Sequence, residues 1–262
     1  MDVLVVGAGA MGRWFGATLA AADEAAFDVA FTDLDADAAA AAADATGGRA
    51  VPTDTEDRFD VVCLAVPMSI AEAAIDEYAD RATEALVDVT GAMAQPVAAM
   101  AAYAPTRERV SLHPLFAPSN APGNVAAVRA SAGPTTDAVL DAIAAAGNDV
   151  FETTPEEHDE AMATGQASAH TAVLAYALAA ESVPDRFQTP ISRGLLDLVE
   201  QVTGNSPQVY AEIQSTFDGA DAVAAAARRI AEADTDETFV ELYEDAQAVV
   251  DESAGTGNGG ER

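Results

Sequence analysis

The chain has 262 residues and half of them are hydrophobic, enough for one large domain or two modest ones around a sizeable core. Twelve basic residues, every one an Arg, stand against 44 acidic ones, for a formal charge of −32 spread along the whole chain. That balance excludes the basic patch that nucleic acid or an anionic membrane surface requires. It suits a protein that works in molar salt, where the screening length falls to about 3 Å, and it is the composition style of an extreme halophile. No apolar run reaches the roughly 18–20 residues of a membrane span. The N-terminus opens on a strand-like run and not on a secretion signal. One cysteine, Cys63, permits no internal disulfide, so a reducing cytoplasm is the expected compartment.

Residues 2–6 read as a buried strand and are followed by an apolar helix from about Met11 to Ala22. A second strand spans Asp28 to Thr32, and a helix starts after Asp35, a residue suited to its N-cap. Further strand-like runs fall at 60–66, 85–89, 109–112 and about 148–152, with helical stretches between most of them. Alternating strands and helices predict a parallel sheet with right-handed crossovers. Beyond Thr153 the pattern turns helical: Pro155 to Ser182, Pro190 to Thr203, Pro207 to Phe217, and on to about Val250. The expected organisation is an α/β, Rossmann-type domain over 1–153, an all-helical domain over 154–252, and a Gly-rich disordered tail over 253–262.

Gly7-Ala8-Gly9-Ala10-Met11-Gly12 has the G-x-G-x-x-G spacing at the junction of the first strand and helix. In that setting Gly7 makes a tight turn, Gly9 admits a pyrophosphate close to the backbone, and Gly12 lets helix and strand pack closely. The helix N-terminus, through Ala10 and Met11, offers unpaired N–H groups and positive dipole to phosphates. Asp33 ends the second strand, where a carboxylate accepts from ribose hydroxyls and repels a 2′-phosphate, which points to NAD over NADP. Val66, which ends the 60–66 strand, is a further candidate cofactor contact, and Pro67 after it shapes the loop beside the cofactor. Trp14 reads as packing and Cys63 as core.

Only three histidines occur. His113 follows a strand, at the sheet edge where α/β folds place ligands, and can serve as a general base. The lesser alternative is that it braces a loop that carries two prolines. His158 opens a helix and is open to a capping, hinge or functional role. Gln166 and His170 are i,i+4 and share a helical face. No His spacing typical of a metal site occurs, so no metal is expected.

Four stretches together resemble the prephenate dehydrogenase family of tyrosine biosynthesis, which includes arogenate dehydrogenases. They are the glycine loop continuing through Arg13-Trp14-Phe15; Leu112-His113-Pro114-Leu115-Phe116-Ala117-Pro118; Thr154-Pro155-Glu156-Glu157-His158-Asp159 running on to Gln166 and His170; and Thr189-Pro190-Ile191-Ser192-Arg193 with Gly204-Asn205-Ser206-Pro207 and Tyr210-Ala211-Glu212-Ile213. The resemblance implies NAD-dependent oxidative decarboxylation of prephenate to 4-hydroxyphenylpyruvate. His113 would take the ring-hydroxyl proton while hydride passes to the nicotinamide. Arg193 would hold a substrate carboxylate, with His170 and Gln166 lining the pocket. The family's helical domain makes a homodimer.

Two positions depart from the family pattern. Where it often has Ser and Lys after the fifth strand, this chain has Gly91 and Met93, so Thr90, a backbone group or water would have to orient His113. Ser192 replaces the usual Tyr beside Arg193. Arogenate as substrate is a finer alternative. So is another dehydrogenase with a Rossmann half and a helical half, although one relying on a catalytic Lys is excluded here. A non-enzymatic NAD-binding protein on the same scaffold would not need His113.

Overall fold

The computed structural model describes residues 1–22 and 26–256, with side chains to 251. Its strands are β1 (Asp2–Val6), β2 (Asp28–Thr32), β3 (Arg49–Ala50), β4 (Phe59–Leu64), β5 (Ala82–Asp88), β6 (Glu108–Pro114), β7 (Asn124–Ser131) and β8 (Asp149–Glu152). Its helices are α1 (Ala10–Ala20), α2 (Ala36–Thr46), α3 (Ala71–Tyr78), α4 (Ala94–Tyr103), α5 (Pro134–Ala145), α6 (Pro155–Met162), α7 (Ala169–Ala179), α8 (Pro190–Thr203), α9 (Pro207–Thr216), α10 (Ala220–Ala231) and α11 (Asp236–Thr256). A π-helical turn, Ala163–Ser168, joins α6 to α7.

The strands form one sheet in the order β3-β2-β1-β4-β5-β6-β7-β8. β1 to β6 are parallel throughout, while β7 runs antiparallel to β6 and parallel to β8. The order reverses at β1 and β4, so the loops after these two strands face one crevice. One face of the sheet buries Val3, Val5, Phe31, Val61 and Val87 under Phe15 and Leu19 of α1 and Ile143 of α5. The other buries Leu4, Val62, Leu64 and Leu86 with Ile75 of α3 and Met100 of α4. Strands covered on both faces read as continuous apolar runs, as these do. Cys63 is fully buried within β4.

Asp35 caps α2, its Oδ1 accepting from the amides of Asp37 at 3.0 Å and Ala38 at 3.3 Å. The strand reading missed β3, which is two residues long, and β7. In Asn-Val-Ala-Ala-Val-Arg-Ala-Ser only two residues are β-branched and apolar, so pairing with β6 and β8 makes the strand and local propensity does not. The sheet is therefore mixed, not wholly parallel.

Two compact units result, Met1–Met162 with Gln208–Phe217, and Ala163–Pro207 with the residues from Asp218 onward. The first unit thus runs past the expected boundary at 153. Its α6 buries His158 and Met162, and the Asp159 carboxylate accepts from the Met93 amide at 3.2 Å and the Ala94 amide at 3.1 Å, at the start of α4. Residues 208–217 join it through the buried Glu212, which accepts from the Met68 amide at 3.0 Å and the Ser69 hydroxyl at 2.7 Å in the loop after β4. In the second unit α7 packs on α8 and α10. Ser168 of the π turn donates to the carbonyls of Ala163 at 3.0 Å and Gly219 at 3.2 Å, and a Cβ on Gly219 would stand 2.5 Å from the Ala163 oxygen. Of the tail expected over 253–262, α11 takes residues to Thr256 and 257–262 lie outside the described residues. Among the described residues no helix is long and apolar enough to cross a membrane.

Candidate active site

The glycine loop joins β1 to α1, and its three glycines have separate physical reasons. Gly7 has φ +101°, in the left-handed region, and a Cβ there would stand 2.3 Å from the Ala65 carbonyl oxygen after β4. A Cβ on Gly12 would stand 1.9 Å from the Gly7 oxygen, so the first turn of α1 packs directly on the loop. A Cβ on Gly9 would meet nothing within 4 Å. Gly9 is exposed, caps α1, and precedes a first turn that contains no acid. An open helix N-terminus of that kind fits a pyrophosphate. Ala10 is exposed and Met11 half-buried beside it.

Asp33 follows β2, half-buried, its Oδ2 accepting from the Ala8 amide at 2.7 Å and its Oδ1 from the Asp35 amide at 2.9 Å. The carboxylate is therefore fixed against the glycine loop, at the position from which a ribose is read in dinucleotide-binding sheets. Val66, half-buried, and Pro67, exposed, continue the loop after β4, and Val66 Cγ1 would lie 3.5 Å from a Cβ on Gly7.

At the C-terminal end of β6, His113 is 8% exposed. Its Nδ1 lies 2.8 Å from Nε2 of His158, and Nδ1 of His158 lies 2.7 Å from Oδ1 of Asp159. Burial, then the neighbouring His158, push the basicity of His113 down to about 3, with Asp159 opposing. Burial alone would raise Asp159. Hydrogen bonds from His158 and from the Ala94 and Met93 amides outweigh it and hold the carboxyl below its usual range. The sequence leaves His158 open between a capping, hinge and functional role, and assigns neither it nor Asp159 a place in the site. Their signal was the adjacent pair His158-Asp159 at a helix start, whose partner 45 residues upstream only the fold supplies.

The role expected of Thr90 goes elsewhere. Its hydroxyl donates to Oδ1 of the buried Asp88 at 2.8 Å, and its amide to the same oxygen at 3.2 Å. Gly91 has φ +92°, a conformation a Ser would strain. A Cβ there would lie 3.5 Å from His113 Nε2. The loop after β5 thus passes beside His113 as bare backbone, and the side chain that meets the ring's Nδ1 is His158.

Arg193, His170 and Gln166 belong to the second unit. Arg193 is exposed on α8, and Thr189 caps that helix by accepting from the Ser192 amide at 3.2 Å. His170 begins α7, half-buried, and burial lowers its basicity. Gln166 lies inside the π turn, where the i,i+4 α-helical register assumed for this pair does not run unbroken. Trp14 packs edge-on against Phe116, with ring centroids 5.4 Å apart.

Residues 2–92 match a family model described as NADP oxidoreductase coenzyme F420-dependent. The chain is 33% identical to 4-amino-4-deoxyprephenate dehydrogenase of Streptomyces pristinaespiralis, over 95% of this chain and 91% of that one. Its fold resembles that of prephenate dehydrogenase from A. aeolicus in complex with hydroxyphenyl propionate and NAD+, at TM-score 0.71 and 15% identity over 96% and 98% of the two chains. It also resembles Synechocystis arogenate dehydrogenase, at TM-score 0.58 and 16% identity over 96% and 90%. The two structural likenesses concern the fold.

Proposed function

The chain belongs to the prephenate dehydrogenase family, and we propose that it uses NAD to oxidise and decarboxylate prephenate to 4-hydroxyphenylpyruvate. The observation that carries this reading is His113. It is a buried imidazole at the C-terminal edge of the sheet, on the edge that also holds the glycine loop, with Nδ1 engaged by His158. A neutral imidazole there accepts the ring-hydroxyl proton as the same carbon gives up hydride. NAD, when bound, would supply the acceptor for that hydride. The ring then loses CO2 and becomes aromatic, so positioning and one proton are the main demands on the protein.

The glycine loop and Asp33 would hold the cofactor: Gly9, Ala10 and Met11 present the helix N-terminus to the pyrophosphate, Gly7 and Gly12 shape the turn, Asp33 reads the ribose, and Val66 and Pro67 flank the bound dinucleotide. Arg193 suits a substrate carboxylate, since its planar fork binds one bidentately. His170, Gln166 and Thr90 are proposed as further substrate-binding residues.

A homodimer completes the proposal. The helix α7, Ala-His-Thr-Ala-Val-Leu-Ala-Tyr-Ala-Leu-Ala, is almost wholly apolar yet buries none of its residues. Leu178 is 89% exposed and Ile191 on α8 is 78% exposed. A second copy would cover such faces. The cytoplasm is the proposed compartment.

A second reading has one observation behind it: the 33% identical relative acts on the 4-amino analogue of prephenate. The test is NADH formation at 340 nm in molar KCl, with prephenate, arogenate and 4-amino-4-deoxyprephenate each offered with NAD and NADP. Prephenate with NAD is expected to give the highest kcat/KM. A higher value with the amino analogue would transfer the assignment to it, and no turnover of any of the three would sink both readings. Sedimentation in the same buffer is expected to give twice the chain mass.

A further inference from the structure

The array Asp159, His158 and His113 joins residues of α6 to the end of β6 by two short contacts, 2.7 Å and 2.8 Å. The direction of its protons can be deduced. Two backbone amides at the start of α4 point at the Asp159 carboxylate, one on each oxygen, and a carboxylate so held is an acceptor. His158 Nδ1 must then carry the hydrogen. In a neutral His158 this leaves Nε2 as the acceptor. The hydrogen between the two imidazoles therefore sits on Nδ1 of His113, and the His113 lone pair is on Nε2, the nitrogen beside Gly91.

We propose that His158 and Asp159 are positioning residues that set the His113 tautomer and that His158 holds the substrate's proton during turnover. This rests on the dehydrogenase reading given above. In the step, Nε2 of His113 takes the ring-hydroxyl proton as the carbon–hydrogen bond delivers its hydride to the nicotinamide. The Nδ1 hydrogen of His113 passes to Nε2 of His158, and the resulting imidazolium stands against Asp159. The ring is oxidised to a ketone and the cofactor reduced. When the carbon–carbon bond to CO2 breaks, its electron pair closes the aromatic ring and the oxygen takes the proton back along the same chain. Overall no proton is released, so the one removed has to be stored and returned. Both rings are buried, His158 the more deeply, but only His158 has a carboxylate in direct contact to hold the charge. His158 thereby takes up an orienting task at the ring beside Gly91, the position where the family pattern has Ser.

The chain's three histidines make the test direct. Nitrogen-15 NMR of histidine-labelled protein, assigned with single variants, reads each tautomer without any turnover. His113 and His158 are both expected to carry hydrogen on Nδ1. Asp159→Asn removes the charge beside His158 and sets an N–H against one of the two backbone amides, so it should loosen the fixed tautomers and lower kcat on the hydroxyl substrate by about a hundredfold while the NAD dissociation constant holds. His158→Gln can still accept from His113 but cannot take a proton. It should keep the His113 tautomer and lower kcat by about tenfold or more with little change in KM. Hydrogen on Nε2 of His113 in the wild type, or wild-type kcat in His158→Gln, would overturn the proposal. Absence of turnover in a wild type with the expected tautomers would instead remove the dehydrogenase reading and the proton-storage step, leaving the tautomer assignment in place.

Discussion

Asp33 and Ala8 are tied by a hydrogen bond of 2.7 Å from the Ala8 amide to the Asp33 carboxylate, so the end of β2 and the glycine loop form one rigid corner. In the proposed dinucleotide site this carboxylate would lie where a ribose 2′-substituent enters. Asp33→Ser removes the charge that repels a 2′-phosphate. The ratio of kcat/KM for NADP to that for NAD is expected to rise at least about tenfold, equivalent to about 1.4 kcal/mol. An unchanged ratio would mean that other groups choose the cofactor.

The glycines separate stability from binding. A methyl on Gly12 would collide with the Gly7 carbonyl, and backbone cannot swing away, so Gly12→Ala is expected to cost about 1–3 kcal/mol or more in a denaturation experiment. Gly9 has φ −67°, which alanine adopts, and has open space before it. Gly9→Ala should therefore keep its stability to within about 1 kcal/mol, yet weaken NAD binding by about tenfold. If titration calorimetry finds NAD binding intact in Gly9→Ala, the pyrophosphate does not approach at this turn.

How much of this was legible in the sequence depended on range. The order of strand, glycine turn, helix and acid is local, and each element stands where the sequence placed it. The helix cap at Asp35 and the buried Cys63 are equally short-range. Strand β7 was not legible, because its alanines pack only once β6 and β8 lie beside them. The place of His158 was not legible either. Its neighbour Asp159 binds the α4 start, more than sixty residues back, and its other neighbour is on β6; neither distance is encoded in spacing. Gly91 read as a lost Ser, while its φ of +92° makes it a requirement of the turn.

The acid excess predicts a salt response. Among the described residues only a few of the 44 acids meet an Arg, as Asp2 meets Arg49 at 2.7 Å and Asp245 meets Arg229 at 3.2 Å, both in exposed positions. Exposed pairs of this kind contribute about 0–1 kcal/mol. Repulsion among the rest dominates until salt screens it, over about 10 Å at 0.1 M and about 3 Å at 1 M. The melting temperature should rise steadily with KCl across that range. A flat or falling curve would show that the charge is already balanced within the fold.

Asp88 carries the clearest pH signature. It is wholly buried at the end of β5, in register with Ser111 of β6, and shares that interior with Cys63, whose thiol is pushed up by burial and by the Asp88 charge. Burial lifts the Asp88 carboxyl from 3.8 to about 6, against the opposing influence of the Ser111 hydroxyl and of the two hydrogen bonds from Thr90. Because the folded value lies above the unfolded one, the protonated form favours the fold. Its contribution is complete below the unfolded value and is lost as pH rises through about 6. The loss amounts to about 3 kcal/mol, from roughly two units at 1.4 kcal/mol each. Asp88→Asn keeps an oxygen for Thr90 and cannot ionise. Relative to the wild type, the variant should therefore gain stability between about pH 4 and pH 7, by up to that amount, in parallel denaturant titrations. A stability difference that does not change with pH would mean that Asp88 keeps an ordinary acidity inside the fold.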